Sequence, residues 1–325
     1  MIGSFTLSRM NRLASLAILP LMTLAIVVFA RFTDAGSSQA PPPASGTIVV
    51  ANLRDETLSF IDFATGTTRE LSVPGPPHEI VEAGGRIYVT LGRADALVEV
   101  EPGSASILRV IPLAGEPHGL AAWGDNLIVT LDKANAAIVL DRASLTEIRR
   151  YPTGNTPHVV AVSSDAVLVT DSRDNAIRQL LPGDAVIPSG LQPEGIAIAG
   201  HLVVTADAAG GTLTIARASD LTGPATVAVG SGPVRVIALD SSRVLVSLQG
   251  EDRLAVVDLK AREVVRRITT GERPDGLCPS PDGKYAGSAA NGDGALHIFA
   301  TQDWGSVLRL NLSAGLGSCL WLPVR

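Results

Sequence analysis

Between positions 119 and 151 the chain alternates short apolar runs with clusters of turn residues. Residues 119–123 predict a strand, and Gly124-Asp125-Asn126 a tight turn, because these residue types tolerate positive φ. Residues 127–131 predict a second strand, 132–135 a polar loop, and 136–140 a third strand. Asp141-Arg142-Ala143-Ser144 then turns the chain into a fourth strand over 146–151, which runs out at Pro152-Thr153-Gly154. Runs this short, broken every eight to twelve residues or so, suit antiparallel strands and leave no room for the helices of a solenoid.

This unit recurs. Gly115-Glu116-Pro117-His118-Gly119 has relatives at Pro77-His78-Glu79, Pro157-His158-Val159, Pro193-Glu194-Gly195, Pro233-Val234-Arg235 and Pro274-Asp275-Gly276, with a proline-free copy at Gly315-Leu316-Gly317. The prolines are spaced 40, 40, 36, 40 and 41 residues apart. Four strands in a period near 40 make a propeller blade, so the fold class is all-β, a seven-bladed β-propeller. The ordered body begins at Thr47-Ile48-Val49-Val50-Ala51, which matches a second strand, and ends in a stretch, 317–323, that matches a first strand. The C-terminal first strand is therefore expected to join the N-terminal three strands and close the ring.

Ile87-Tyr88-Val89-Thr90-Leu91, Ile128-Val129-Thr130-Leu131, Val167-Leu168-Val169-Thr170-Asp171, Leu58-Ser59-Phe60-Ile61-Asp62 and Ser280-Pro281-Asp282-Gly283-Lys284 resemble YVTN-type β-propeller repeats over residues 47–325. That resemblance implies seven blades and says little about chemistry, since such folds carry many functions. The chain departs from virginiamycin-lyase-like proteins in lacking Trp-Phe-Thr-Glu in a second strand, and only the blade count speaks for a lactonase-like reading.

Composition fits this picture. Hydrophobic residues make up 46% and aromatics 4%, so the core must be built from Val, Ile, Leu and Ala, which favours pleated packing. The formal charge is −6, and −8 without residues 1–46, which hold three arginines and one aspartate. An acidic body excludes a broad nucleic-acid footprint. Arg9 and Arg12 precede the uncharged run 13–30, which Arg31 closes. Residues 1–35 are thus expected to be a signal peptide or an N-terminal membrane anchor that delivers the rest outside the cytoplasm, periplasmic, cell-surface or secreted. Residues 36–46, rich in Pro and Ser, are expected to be a linker, and 47–325 one monomeric propeller.

In a propeller the connections from fourth to next first strand, and from second to third, surround the channel mouth. The residue after each motif proline, called the mouth residue below, is His78, His118, His158, Glu194, Val234 or Asp275, and Leu316 takes its place in the proline-free copy. Three of the five histidines in the chain occupy this one slot. They fit a divalent-metal set of His78, His118, His158 and Glu194, the lining of a protein, peptide or small-molecule site, or a turn that happens to use histidine. Arg54, Arg93, Arg173 and Arg253 stand with acidic neighbours on second-to-third loops, as a solvated rim or an anion-binding one. The reading that follows is an extracytoplasmic binding or scaffold propeller. The alternative is a metal-dependent hydrolase or lyase with Glu194 or Asp275 as base. Cys278 and Cys319 fall in first strands of adjacent blades, where small apolar packing or a disulfide both fit.

Overall fold

A computed structural model of the chain describes residue 38 and residues 40–323; the expected leader lies outside the described residues. Seven sheets of four strands each stand around a channel. The second blade is typical: Pro117–Trp123, Asn126–Leu131, Ala136–Asp141 and Glu147–Pro152 pair in sequence order, each with the next. The first strand starts at the motif proline itself, two residues earlier than its hydrophobic run suggests. The reason is local, for the polar mouth residue extends the strand without joining the apolar core.

Ring closure takes the expected form. Leu316–Leu322 lies beside Thr47–Asn52, which pairs in turn with Thr57–Asp62, and that strand with Thr67–Ser72. Ile48 stands opposite Trp321, Val49 opposite Leu320 and Val50 opposite Cys319. Here the seventh blade is the one sewn from both chain ends, and the first is the one that begins with Ile80–Ala83.

Apolar packing is organised between blades. Each of seven buried clusters combines side chains of two adjacent blades, for instance Val204, Leu213 and Val227 with Val236, Val244 and Val246. Second and third strands are covered on both faces, which explains near-continuous runs such as Leu127 to Leu131. Fourth strands form the outer edge and are largely exposed, as in Glu147–Pro152.

A recurrent side-chain hydrogen bond ties the inner ring together. Thr90 Oγ1 donates to the His118 carbonyl (2.7 Å) and Thr130 Oγ1 to the His158 carbonyl (2.7 Å). The same pattern joins Ser247 Oγ to the Asp275 carbonyl (3.3 Å). Each hydroxyl also accepts a backbone N–H from its own blade: Glu79 at 3.1 Å, Gly119 at 2.7 Å and Arg235 at 3.0 Å. Where a hydroxyl is missing from the slot, another donor replaces it. Ser318 Oγ reaches the His78 carbonyl (2.6 Å) and Asn291 Nδ2 the Leu316 carbonyl (3.1 Å). First strands of neighbouring blades come so close that a Cβ on Gly119 would strike the His158 carbonyl, and one on Gly276 the Gly317 carbonyl.

Cys278 and Cys319 are joined in a disulfide with Cα atoms 5.5 Å apart, linking the sixth blade to the closing strand. Part of the Pro- and Ser-rich tract expected as a linker lies against the face opposite the mouth. Ser38 Oγ donates to Asp303 Oδ2 (2.9 Å), the Tyr285 hydroxyl donates to the Pro41 carbonyl (2.9 Å), and Pro43 is buried.

Two stability outcomes are expected. Thr130→Val leaves a buried N–H and a buried carbonyl without their partner, so it lowers stability by about 1–3 kcal/mol, while Thr130→Ser retains most of it; urea midpoints at constant slope measure both. Replacing Cys278 and Cys319 together with Ala releases a cross-link across 41 residues of sequence and costs about 2–4 kcal/mol by the same measurement.

Candidate functional site

Three imidazoles stand in a row, His118 and His158 on the first strands of the second and third blades and His78 just before the first strand, Ile80–Ala83, of the first. The His78 and His118 ring centroids are 4.7 Å apart, and those of His118 and His158 are 3.9 Å apart, tilted by 33°. They line one wall of a cavity of about 480 Å³ at the channel mouth. Glu194 and Asp275, from the fourth and sixth blades, line it too, so the structure gathers five of the expected site residues. Val234 also reaches the lining, but Leu316 does not. It is fully buried in the packing of the sixth and seventh blades, and Gly317 and Ser318 face the cavity in its place.

His158 is held by its neighbour. Its Nδ1 lies 3.0 Å from the Glu194 carbonyl and its Nε2 3.1 Å from Glu194 Oε2. Both contacts are to acceptors. Gln192 Nε2 donates to the other Glu194 oxygen at 2.6 Å. His118 meets the opposite situation. Burial disfavours its cation, the His158 and His78 rings and Arg235 act in the same direction, and its pKa falls well below that of a free imidazole. Its Nδ1 is buried with no hydrogen-bond partner among the described residues. His78 is lowered as well, chiefly by burial, with Glu79 pulling it back up.

The residue after the mouth residue contributes the strongest ion pair of the site. Arg235 Nη1 of the fifth blade lies 2.6 Å from Glu79 Oε1 of the first, spanning the lumen, and Arg235 Nη2 lies 3.5 Å from Asp275 Oδ1. Burial opposes the Arg235 charge, but Glu79 and Asp275 more than offset it and raise its pKa. Asp275 itself is pushed up by burial, against the pull of Arg235, and Gln249 Nε2 donates to its Oδ2 at 3.4 Å. Glu79 and Arg235 were not apparent as site residues from the motif. Their signal is a charge in a slot that is glycine at 119, 195, 276 and 317.

The expected metal set comprises His78, His118, His158 and Glu194. Here neighbouring rings are tilted by 47° and 33°, and both nitrogens of His158 are turned to Glu194. Among the described residues no group of three or more His, Cys, Asp or Glu side chains is placed to hold a metal ion. Of the four rim arginines, Arg54 and Arg93 border a recess beside His78, and Arg173 borders another beside His158 and Glu194. Arg253 is exposed at the start of the strand Arg253–Asp258 and lines neither recess nor the central cavity.

Asp132 lines the recess of Arg173 with one carboxylate oxygen buried and unpartnered. Burial pushes its pKa up to about 7, opposed by His158 and reinforced by Glu116 and Glu194.

No family model and no curated protein matches this chain. Solved structures match it in fold. A functionally unknown protein from Desulfotomaculum acetoxidans superposes with a TM-score of 0.69 at 14% identity, covering 84% of this chain and 98% of that one. Apo AztD from Citrobacter koseri gives 0.68 at 9% identity, covering 86% and 98%. Virginiamycin B lyase from Staphylococcus aureus gives 0.64 at 15% identity, covering 77% and 93%. At such identities the likeness establishes the propeller and nothing of the chemistry.

The Asp132 environment makes stability depend on pH with a definite sign. A carboxyl whose folded pKa is about 7 and unfolded value 3.8 costs nothing below the lower value, and stability falls as pH rises from one to the other. Asp132→Asn should therefore match the parent at pH 4 and exceed it at pH 8. The expected gain is about 1–3 kcal/mol, discounted from the full shift for residual solvent contact, and it is measured by urea unfolding at both pH values.

Proposed function

We propose that this chain is a binding propeller acting outside the cytoplasm, which holds a small polar molecule in the cup at the channel mouth. The observation that carries this reading is a cavity of about 480 Å³ whose wall brings together His78, His118, His158, Glu194, Arg235 and Asp275. A concave site with a few convergent polar groups is the usual form of a small-molecule site. The cup's size falls within the roughly 300–1,000 Å³ usual for small-molecule sites. Arg235 bridges the lumen to Glu79, so the cup favours a seated ligand over a threaded chain. Export is supported by the charged flank and apolar run of the leader, and by a disulfide of the kind that oxidising compartments maintain. Among the described residues no helix is long and apolar enough to cross a membrane.

Calorimetric titration of the full chain tests this reading, with a panel of primary amines, neutral polyols, mono- and dicarboxylates and phosphate. One class should bind saturably at a one-to-one ratio, and His118→Ala should weaken that binding while unfolding at a urea concentration close to the parent's. Silence from the whole panel would remove the reading.

A further inference from the structure

We propose that the ligand of the cup carries an anionic group, a carboxylate or phosphate, received by Arg54 and Arg93 beside His78. This deepens the binding reading and rests on it. Arg54 follows the second strand of the closing blade and Arg93 the second strand of the first blade, so the two stand on equivalent loops of neighbouring blades. Both line a recess of about 420 Å³. Leu53, His78 and Asn291 line that recess and the central cup alike, so one opens into the other.

The charge of the recess is not internally balanced. Arg235, Arg178, Arg267 and Arg309 each have a carboxylate partner. Among the described residues neither Arg54 nor Arg93 has a carboxylate within ion-pairing distance. Glu56 is the one carboxylate along the recess, which leaves one positive charge in excess. Inside the cup the carboxylates are already engaged, Glu79 and Asp275 by Arg235 and Glu194 by His158. Arg273 in the cup and Arg173 in the recess by Glu194 also lack a carboxylate within ion-pairing distance, but Arg54 and Arg93 stand as a pair beside His78.

Local backbone helps place one guanidinium. Gly315 has φ +98°, and a Cβ there would lie 2.5 Å from Arg54 Cγ, so only glycine lets the arginine stem lie against the chain at this point. A guanidinium presents paired N–H donors that match the two oxygens of a carboxylate or phosphate, which an ammonium does not. The Arg93 charge also bears on His78 and opposes its protonation. An anion bound between them reverses that influence, so binding and His78 protonation are coupled with a known sign: the bound anion raises the His78 pKa.

The test titrates the full chain with sodium phosphate and with sodium succinate, each against sodium chloride at matched ionic strength, with the panel's amines and polyols as comparators. One anion should bind saturably, the two arms telling phosphate from carboxylate. Affinity should fall roughly 10- to 100-fold in Arg54→Gln/Arg93→Gln and stay unchanged in Arg253→Gln. Histidine proton resonances should show one imidazole, absent from His78→Asn, whose pKa rises on binding. Saturable binding by an amine or polyol alone overturns the anionic assignment and leaves the cup reading intact. Anion binding that is equal in the double variant also overturns it. No binding by any compound defeats both.

Discussion

The mouth residues stand where they do because their backbone carbonyls are captured by the blade before them. Thr90 takes the carbonyl of His118 and Thr130 that of His158, while His158 itself supplies the ring N–H for Glu194. Ser318, Ser247 and Asn291 do the same for His78, Asp275 and Leu316. These acceptors lie at the innermost part of the ring, where water is scarce and an orphaned carbonyl is expensive. The bond therefore does more than staple two sheets. It sets the spacing of adjacent first strands, and that spacing brings the imidazoles within 3.9 and 4.7 Å of one another.

Once the rings are that close, they cannot all carry charge. His158 pairs with Glu194, which also accepts from Gln192, while burial first, and then the neighbouring His158 and His78 rings, lower the His118 pKa. On the other side of the lumen Arg235 is shared by two carboxylates, Glu79 and Asp275, and burial holds the Asp275 pKa up against the pull of Arg235. The ionisable groups of the cup thus settle into two sets, a pair and a triad. What remains for an incoming molecule is the neutral edge of His118 and the unpaired guanidinium groups at the rim.

The architecture was readable because a propeller repeats. Strand order, blade count and the joining of Leu316–Leu322 to Thr47–Asn52 all follow from one motif recurring in phase. His78, His118, His158, Glu194 and Asp275 were legible for the same reason, since one slot maps to one place around the axis. The method falters where a copy drifts. In the seventh blade Leu316 stands opposite Asn52, the last residue of the second strand, as Pro117 stands opposite Leu131, so it takes the buried proline slot and leaves Gly317 and Ser318 at the lining. Partners reached across the lumen are also hidden, because the 156 residues between Glu79 and Arg235 carry no pattern that points from one to the other. Arg253 illustrates the converse: Arg93 stands two residues past a second strand, whereas Arg253 opens a third strand, Arg253–Asp258, and is exposed without lining the cup or its recesses.

Seven equivalent blades would give a mouth with sevenfold character, and such a mouth would suit an axial ligand. This one is lopsided. Imidazoles occupy three consecutive blades, acids the fourth and sixth, and Val234 the fifth, while the closing blade contributes Gly317, Ser318 and, from a loop, Leu53. The small residues of that blade leave space next to His78, and the recess between Arg54 and Arg93 opens there. Divergence among otherwise interchangeable units is costly to the regularity that packs them, since each departure needs its own compensating partner, as Glu79 needs Arg235 and Glu194 needs His158. On the proposed binding reading, the asymmetry of the mouth suits a molecule seated off the axis toward the seam where the two ends of the chain meet.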